Sequence, residues 1–83
     1  MNMRRKKINV IGLGYIGLPT ALMFAKSGVQ VIGTDYNKDL VDSLKEGRLT
    51  FKEEGLERLF KEALSNEIEF TTEYQKTDTY IIS

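Results

Sequence analysis

Three closely spaced glycines constrain the fold of this 83-residue chain more than any other feature. Residues 10–19 read VIGLGYIGLP, so Gly12, Gly14 and Gly17 follow the spacing G-x-G-x-x-G. A short apolar run at residues 8–11 precedes the first glycine, and apolar residues at helical spacing follow the third. A strand that enters such a turn and a helix that leaves it are typical of the start of a βαβ unit.

The spacing of apolar residues predicts helices that alternate with strands. Strands are predicted at residues 8–11, 29–34, 68–72 and 79–83, and helices at residues 15–27, 38–46 and 56–65. The predicted buried faces carry Leu18, Ala21, Leu22 and Ala25 on the first helix, Leu40, Val41 and Leu44 on the second, and Leu56, Leu59, Phe60, Ala63 and Leu64 on the third. Asn37 is predicted to cap the second helix. This alternation predicts an α/β fold, a partial Rossmann-like doubly wound parallel sheet of about four strands in the order 3-2-1-4 with three helices.

The composition limits the chemistry that the chain can perform. It contains no Cys and no His, so it lacks Ser-His-Asp, Cys-His and zinc-thiolate sites, and we expect no catalytic and no metal-binding residue. Twelve basic residues balance twelve acidic ones, which gives no reason to expect nucleic acid or a membrane as a partner. The basic run at residues 4–7 is interpreted as a solvated lead-in to the first strand. No signal peptide or membrane span is apparent, so we expect a cytoplasmic protein.

The glycine turn suits a pyrophosphate group. The N-terminus of a helix offers unpaired backbone N–H groups and the positive end of a dipole. We predict that Gly12 permits the turn, that Gly14 lets the phosphates approach, and that Gly17 lets the helix pack close to the sheet. The N–H groups of Tyr15 and Ile16 are then predicted to point near the phosphates.

Asp35 supplies the second half of a dinucleotide signal. It ends the second apolar run, eighteen residues after Gly17. Its carboxylate can accept hydrogen bonds from both hydroxyls of an adenosine ribose and would repel a 2′-phosphate, which favours NAD over NADP. The alternative is that the glycines only make a tight turn and that Asp35 caps a helix or faces water. The surrounding strand–helix–strand pattern favours the dinucleotide interpretation.

The amino-acid sequence of the glycine turn resembles that of a known family. Residues 12–21, GLGYIGLPTA, are similar to the start of the UDP-glucose/GDP-mannose dehydrogenases, in the version typical of the branch that acts on UDP-N-acetylmannosamine or UDP-N-acetylglucosamine. The resemblance continues through Asp35, Gly47, residues 54–56 and residues 80–83. It therefore extends over nearly the whole chain.

The resemblance implies two successive NAD-dependent oxidations that convert the C6 alcohol of a UDP-sugar to a carboxylate, for surface polysaccharide, in a homo-oligomer. It implies that residues 1–83 are the N-terminal part of one NAD-binding domain, without the catalytic and sugar-binding domains. The residues that match the family's NAD contacts are Gly12, Gly14, Tyr15, Ile16, Gly17 and Asp35. Leu40 stands about where many members carry a lysine, so that lysine's contact does not carry over.

Two other functions remain as alternatives. One is a free-standing nucleotide-binding module of the same ancestry, without a reaction of its own. The other is a different NAD-dependent enzyme, such as a β-hydroxyacid or 6-phosphogluconate dehydrogenase. The sequence YIGLP at residues 15–19 argues against the latter, since those families usually read differently after the second glycine.

Overall fold

The computed structural model describes residues 6–83, and within that range it contains four strands and three helices. The strands are β1 (Lys7–Ile11), β2 (Gln30–Thr34), β3 (Ile68–Thr71) and β4 (Thr79–Ile82), and the helices are α1 (Gly17–Lys26), α2 (Lys38–Lys45) and α3 (Leu56–Leu64). All strand pairs are parallel, in the order β3-β2-β1-β4. The predicted fold class and strand order are confirmed. No helix in residues 6–83 is long and apolar enough to cross a membrane.

The start of the basic run lies outside the described residues, since Arg4 and Arg5 precede them. Of its remaining members, Lys6 is exposed and Lys7 opens β1.

The helices bury their apolar faces in one cluster with a single face of the sheet. Buried residues of all three helices join Ile8, Val10, Val31 and Phe70, which the strand register places on the same face. The predicted inner face of α1 is confirmed, because Leu18, Ala21, Leu22 and Ala25 are fully buried. On α2, Val41 and Leu44 are buried and Leu40 is half-buried. On α3, Leu56, Phe60 and Ala63 are buried and Leu59 is half-buried.

Leu64 departs from the predicted core. Its side chain is 44% exposed, because it lines an open groove between the end of α3 and the connector at residues 47–54. The apolar stripe of α3 is therefore buried through Ala63 and ends there.

The start of α1 also differs from the prediction. The helix begins at Gly17 and not at Tyr15, and residues 15–16 form a turn ahead of it. The Leu18 N–H donates to the Gly14 carbonyl at 3.1 Å as the first helical turn closes. The backbone N–H groups at residues 15–16 therefore precede the helical hydrogen-bond ladder.

The second helix has the side-chain cap that the sequence predicts. The Asn37 side chain accepts from the Leu40 N–H at 3.2 Å. Replacing Asn37 with Ala should lower the free energy of unfolding by about 1 kcal/mol, because this N–H loses its acceptor. Asn37→Asp, which keeps an acceptor, is the control and should stay near wild type in urea unfolding. Equal losses in both variants would contradict a capping role.

The opposite face of the sheet centres on a buried amide. Asn9, in the middle of β1, is fully buried. Its Nδ2 donates to the Gln75 carbonyl at 2.9 Å, and its Oδ1 accepts from the Thr34 hydroxyl at 2.6 Å. The chain between β3 and β4 is thus fastened across this face. The run at residues 8–11, on whose apolar character the strand prediction rested, therefore contains one buried polar side chain.

Candidate functional site

The glycine turn lies at the carboxyl ends of three adjacent strands. The Gly12 N–H donates to the Thr34 carbonyl at the end of β2, at 2.8 Å. On the other side, the Ser83 N–H donates to the Ile11 carbonyl at 3.0 Å, and the Ser83 Oγ donates to the Gly12 carbonyl at 2.9 Å. The turn is therefore held from both neighbouring strands, at the edge of the sheet where ligands of open α/β sheets bind.

Two of the three glycines are required by the protein itself. Gly12 has φ of +99°, and a Cβ there would lie 2.5 Å from the Ser83 carbonyl oxygen. A Cβ on Gly17 would lie 1.7 Å from the Gly12 carbonyl oxygen. Any other residue at either position would collide with fixed backbone.

Gly14 is different. Its φ is not positive, and a Cβ there would meet no heavy atom within 4 Å. A tight turn accounts for Gly12 and Gly17, but nothing in residues 6–83 requires a glycine at position 14. The position instead leaves room beside the backbone for a group that is not part of this segment.

The turn also presents backbone donors. Within the described part of the chain, the N–H groups of Tyr15 and Ile16 have no acceptor. Both side chains are 75% exposed, and the first turn of α1 contains no acidic residue. An anion at this point would meet two N–H donors and the positive end of the α1 dipole, with no acidic side chain in the first turn of that helix.

The connector between α2 and α3 reaches the turn through an aromatic contact. The rings of Tyr15 and Phe51 lie 4.6 Å apart between centroids, tilted by 52°. The predicted role of Tyr15 concerns its backbone N–H, and the contact of its ring with Phe51 was not predicted. No local pattern predicts the pair, because it depends on how the connector folds back over α1.

Asp35 lies beside the turn and is already hydrogen-bonded. Its Oδ2 accepts from the Leu13 N–H at 2.9 Å, and its Oδ1 accepts from the Asn37 N–H at 2.9 Å. The alternative role as a helix cap does not apply, because Asn37 caps α2. A carboxylate offers about four acceptor positions, so Asp35 retains capacity for further donors.

Lys38 is the nearest cation along the chain to Asp35, but it pairs within its own helix. Its Nζ lies 2.7 Å from Asp42 Oδ2. This hydrogen bond raises the pKa of Lys38 and lowers the pKa of the Asp42 carboxyl. The ammonium is therefore engaged along α2.

The open groove between α3 and the connector has a volume of about 900 Å³ and is separate from the glycine turn. Its charged lining residues are Arg48, Lys52, Lys61, Glu53, Glu54 and Glu57. Neither the glycine turn nor Asp35 contributes to it. Because its charges are mixed, it has no clear preference for an anion.

Comparisons with known proteins agree with this geometry. Residues 6–83 match the UDP-glucose/GDP-mannose dehydrogenase family, NAD binding domain. A UDP-N-acetyl-D-mannosamine dehydrogenase from Methanococcus maripaludis is 47% identical over 78 residues, which are 93% of this chain and 18% of that protein. The same enzyme from Campylobacter jejuni is 41% identical over 78 residues, 93% of this chain and 19% of that protein.

Solved structures give the same result. The UDP-N-acetyl-mannosamine dehydrogenase from Staphylococcus aureus matches with a TM-score of 0.88 and 44% identity, covering 93% of this chain and 19% of that one. The chain thus spans about a fifth of the length of these relatives. The family resemblance of the glycine turn is confirmed, and so is NAD as the cofactor of the matching domain. The chain belongs to the UDP-glucose/GDP-mannose dehydrogenase family and matches its NAD-binding domain.

Proposed function

We propose that this chain binds the adenosine diphosphate half of NAD at the glycine turn, as the N-terminal part of the NAD-binding domain of a UDP-sugar 6-dehydrogenase. The proposed contact residues are Gly12, Gly14, Tyr15, Ile16, Gly17 and Asp35. The observation that carries the proposal is the open space at Gly14, since the fold of residues 6–83 gives no steric reason for a glycine there. The unengaged N–H groups of the turn give independent support.

Each residue has a definite role in this proposal. The N–H groups of Tyr15 and Ile16 donate to the pyrophosphate, whose charge the α1 dipole stabilises. Gly14 allows the phosphates to approach the backbone, while Gly12 and Gly17 maintain the turn. The remaining acceptor positions of Asp35 bind the hydroxyls of the adenosine ribose. When bound, NAD supplies the hydride acceptor for the oxidation.

The wider activity extends beyond residues 1–83. We propose two successive oxidations of the C6 alcohol of a UDP-N-acetylhexosamine or UDP-glucose, which yield a uronic acid for surface polysaccharide. Their catalytic and sugar-binding residues belong to other domains of a cytoplasmic homo-oligomer. The sequence resemblance supports this scheme, as do relatives described as UDP-N-acetyl-D-mannosamine dehydrogenases.

The alternative is a free-standing, non-catalytic module of the same ancestry. The source gene beyond codon 83 distinguishes the two. An open reading frame that encodes a cysteine-bearing central domain would support the dehydrogenase, and a stop codon would support the module.

The binding proposal predicts a measurable preference among nucleotides. Calorimetry should detect binding of NAD to this chain at millimolar concentration. NADP should bind roughly tenfold more weakly, because its 2′-phosphate meets the Asp35 carboxylate.

Gly14→Ala should lower the affinity for NAD by about tenfold, since the added methyl group occupies the space through which the phosphates approach the backbone. Its urea midpoint should stay unchanged, because the Cβ would meet no heavy atom of the described residues within 4 Å.

Gly47→Ala is a matched control for this experiment. Gly47 has φ of +84°, and a Cβ there would also meet no heavy atom of residues 6–83 within 4 Å. It follows the end of α2, away from the glycine turn. This variant should lose about 1 kcal/mol of stability through backbone strain and keep its NAD affinity. Wild-type NAD affinity in Gly14→Ala would contradict the proposal.

A further inference from the structure

We propose that Asp35 is also a positioning residue, which holds the glycine turn in its phosphate-binding shape independently of any ribose contact. The inference rests on the proposed function, because it concerns the same site. It assigns to the carboxylate a task that precedes ligand binding. Ligands that lack ribose hydroxyls should then depend on Asp35 as well.

The first observation is the bond between the carboxylate and the turn. Asp35 Oδ2 accepts from the N–H of Leu13, the residue between the first two glycines, at 2.9 Å. The Leu13 side chain is fully buried, and its methyl groups lie close to Gly33, where a Cβ would be 3.2 Å from Cδ2. The side chain and the N–H of Leu13 are thus both fixed, which sets the orientation of the peptide that leads into Gly14.

The second observation is that the carboxylate is itself held in place. Its Oδ1 accepts from the Asn37 N–H at 2.9 Å, which closes an Asx turn. The Asp35 N–H donates to the Thr71 carbonyl on β3 at 3.1 Å. With the backbone and one oxygen engaged, the second oxygen stays directed at Leu13. A hydrogen bond to an ionised acceptor is stronger than one between neutral groups.

The third observation is the position of this bond at the end of the sheet. The preceding N–H, of Gly12, pairs with the Thr34 carbonyl in the β1–β2 ladder. The Leu13 N–H lies one residue beyond that ladder, and in residues 6–83 the Asp35 carboxylate is its acceptor. Removing the carboxylate therefore frees the turn where its glycines already make it flexible.

Two nucleotides separate this role from the ribose role. ADP has both ribose hydroxyls, and 2′,3′-dideoxy-ADP has neither but keeps the pyrophosphate. If Asp35 acted only through the ribose, Asp35→Ala would weaken ADP binding, and the dideoxy nucleotide would bind with unchanged or slightly higher affinity. If Asp35 also positions the turn, the dideoxy nucleotide should bind roughly fivefold more weakly to Asp35→Ala than to wild type.

The electrostatic effect of removing Asp35 on phosphate affinity is opposite in direction to the expected positioning effect. Removing a carboxylate near an anion site strengthens phosphate binding by Coulomb's law alone. Asp39→Ala, which removes an exposed carboxylate from the first turn of α2, is the matched control and should leave both affinities unchanged or slightly higher. If dideoxy-ADP binds more weakly to Asp35→Ala but not to Asp39→Ala, the loss of affinity therefore has to come from the loss of positioning.

Amide hydrogen exchange measures the turn without any ligand. We expect the Leu13 amide to be protected in the wild-type chain and to exchange at least about tenfold faster in Asp35→Ala, while Leu22 in α1 keeps its protection. Asp35→Asn gives a second variant of nearly the same shape. Leu13 and Asn37 bond different oxygens of Asp35, and asparagine has an NH2 group in place of one of them and no charge. The Leu13 acceptor is therefore lost or weakened, and we expect faster exchange of Leu13 there too.

The outcomes distinguish this inference from the proposed function. Unchanged or tighter dideoxy-ADP binding in Asp35→Ala would overturn the positioning role and leave ribose recognition intact. Unchanged protection of Leu13 in both variants would also overturn it. If the wild-type chain binds neither nucleotide, the proposed function fails, whereas the exchange of Leu13 still reports whether Asp35 holds the turn.

Discussion

Gly17→Ala should lower the free energy of unfolding by at least about 3 kcal/mol, because the new methyl group has no room. Its Cβ would lie 1.7 Å from the Gly12 carbonyl oxygen and 2.3 Å from Ser83 Oγ. The carbonyl is backbone, so relief requires α1 to move away from the sheet. Helix propensity acts the other way and favours Ala over Gly by about 1 kcal/mol. The sign of the change, measured by urea unfolding, therefore decides between packing and propensity.

Gly14→Ala is the control for that measurement. A Cβ at Gly14 would meet no heavy atom of residues 6–83 within 4 Å, so the free energy of unfolding should change by no more than about 0.5 kcal/mol. The two variants make the same chemical change three residues apart. Gly17→Ala with wild-type stability would show that α1 is less tightly seated on the turn than these distances indicate.

Asn9→Ala should have the second large effect, a loss of about 3 kcal/mol in the free energy of unfolding. The amide is fully buried and bonds both the Gln75 carbonyl and the Thr34 hydroxyl. Alanine would leave both partners without a bond to this side chain and would create a cavity under the segment that joins β3 to β4. Urea denaturation followed by circular dichroism measures the loss.

Two further variants test the source of this loss. Gln75 contributes its carbonyl to Asn9, and within residues 6–83 its side chain bonds only the exposed Glu69 carboxylate. Gln75→Ala should therefore cost about 0.5 kcal/mol. Thr34→Val, which leaves Asn9 Oδ1 without its donor, should cost about 1 to 2 kcal/mol. Losses of equal size in Asn9→Ala and Gln75→Ala would contradict the role of the amide.

The fold was predictable because its signals are local. The glycine spacing, the apolar periodicity and the Asn37 cap mark where the elements start and end. The right-handed crossover rule then leaves few strand orders. The start of α1 was misplaced because Tyr15 and Ile16 continue the apolar pattern of the helix while their backbone forms a turn. Leu64 was misassigned because periodicity does not reveal where the packing partner of a helix ends.

The site was predictable only in part. The sequence places Gly12 and Asp35 at the ends of neighbouring strands and Gly17 in the turn that follows the first of them, and the structure brings the three close together. The bond from Leu13 to Asp35 depends on the register between β1 and β2, and the Tyr15 contact with Phe51 depends on a connector fold that no short pattern encodes. Asn9 was visible in the sequence as the one amide within the otherwise apolar run at residues 8–11.

The bond between Ser83 and Gly12 has a consequence for the order of folding. It joins residues 71 positions apart, so the loop that it closes includes nearly the whole chain. Local pairing of β1, α1 and β2 can precede it, because shorter loops cost less entropy to close. The final shape of the turn therefore requires β4 to dock as well. We therefore expect nucleotide binding at the turn to reach full affinity only after β4 has docked, so that NAD binding reports the docking of β4 onto β1.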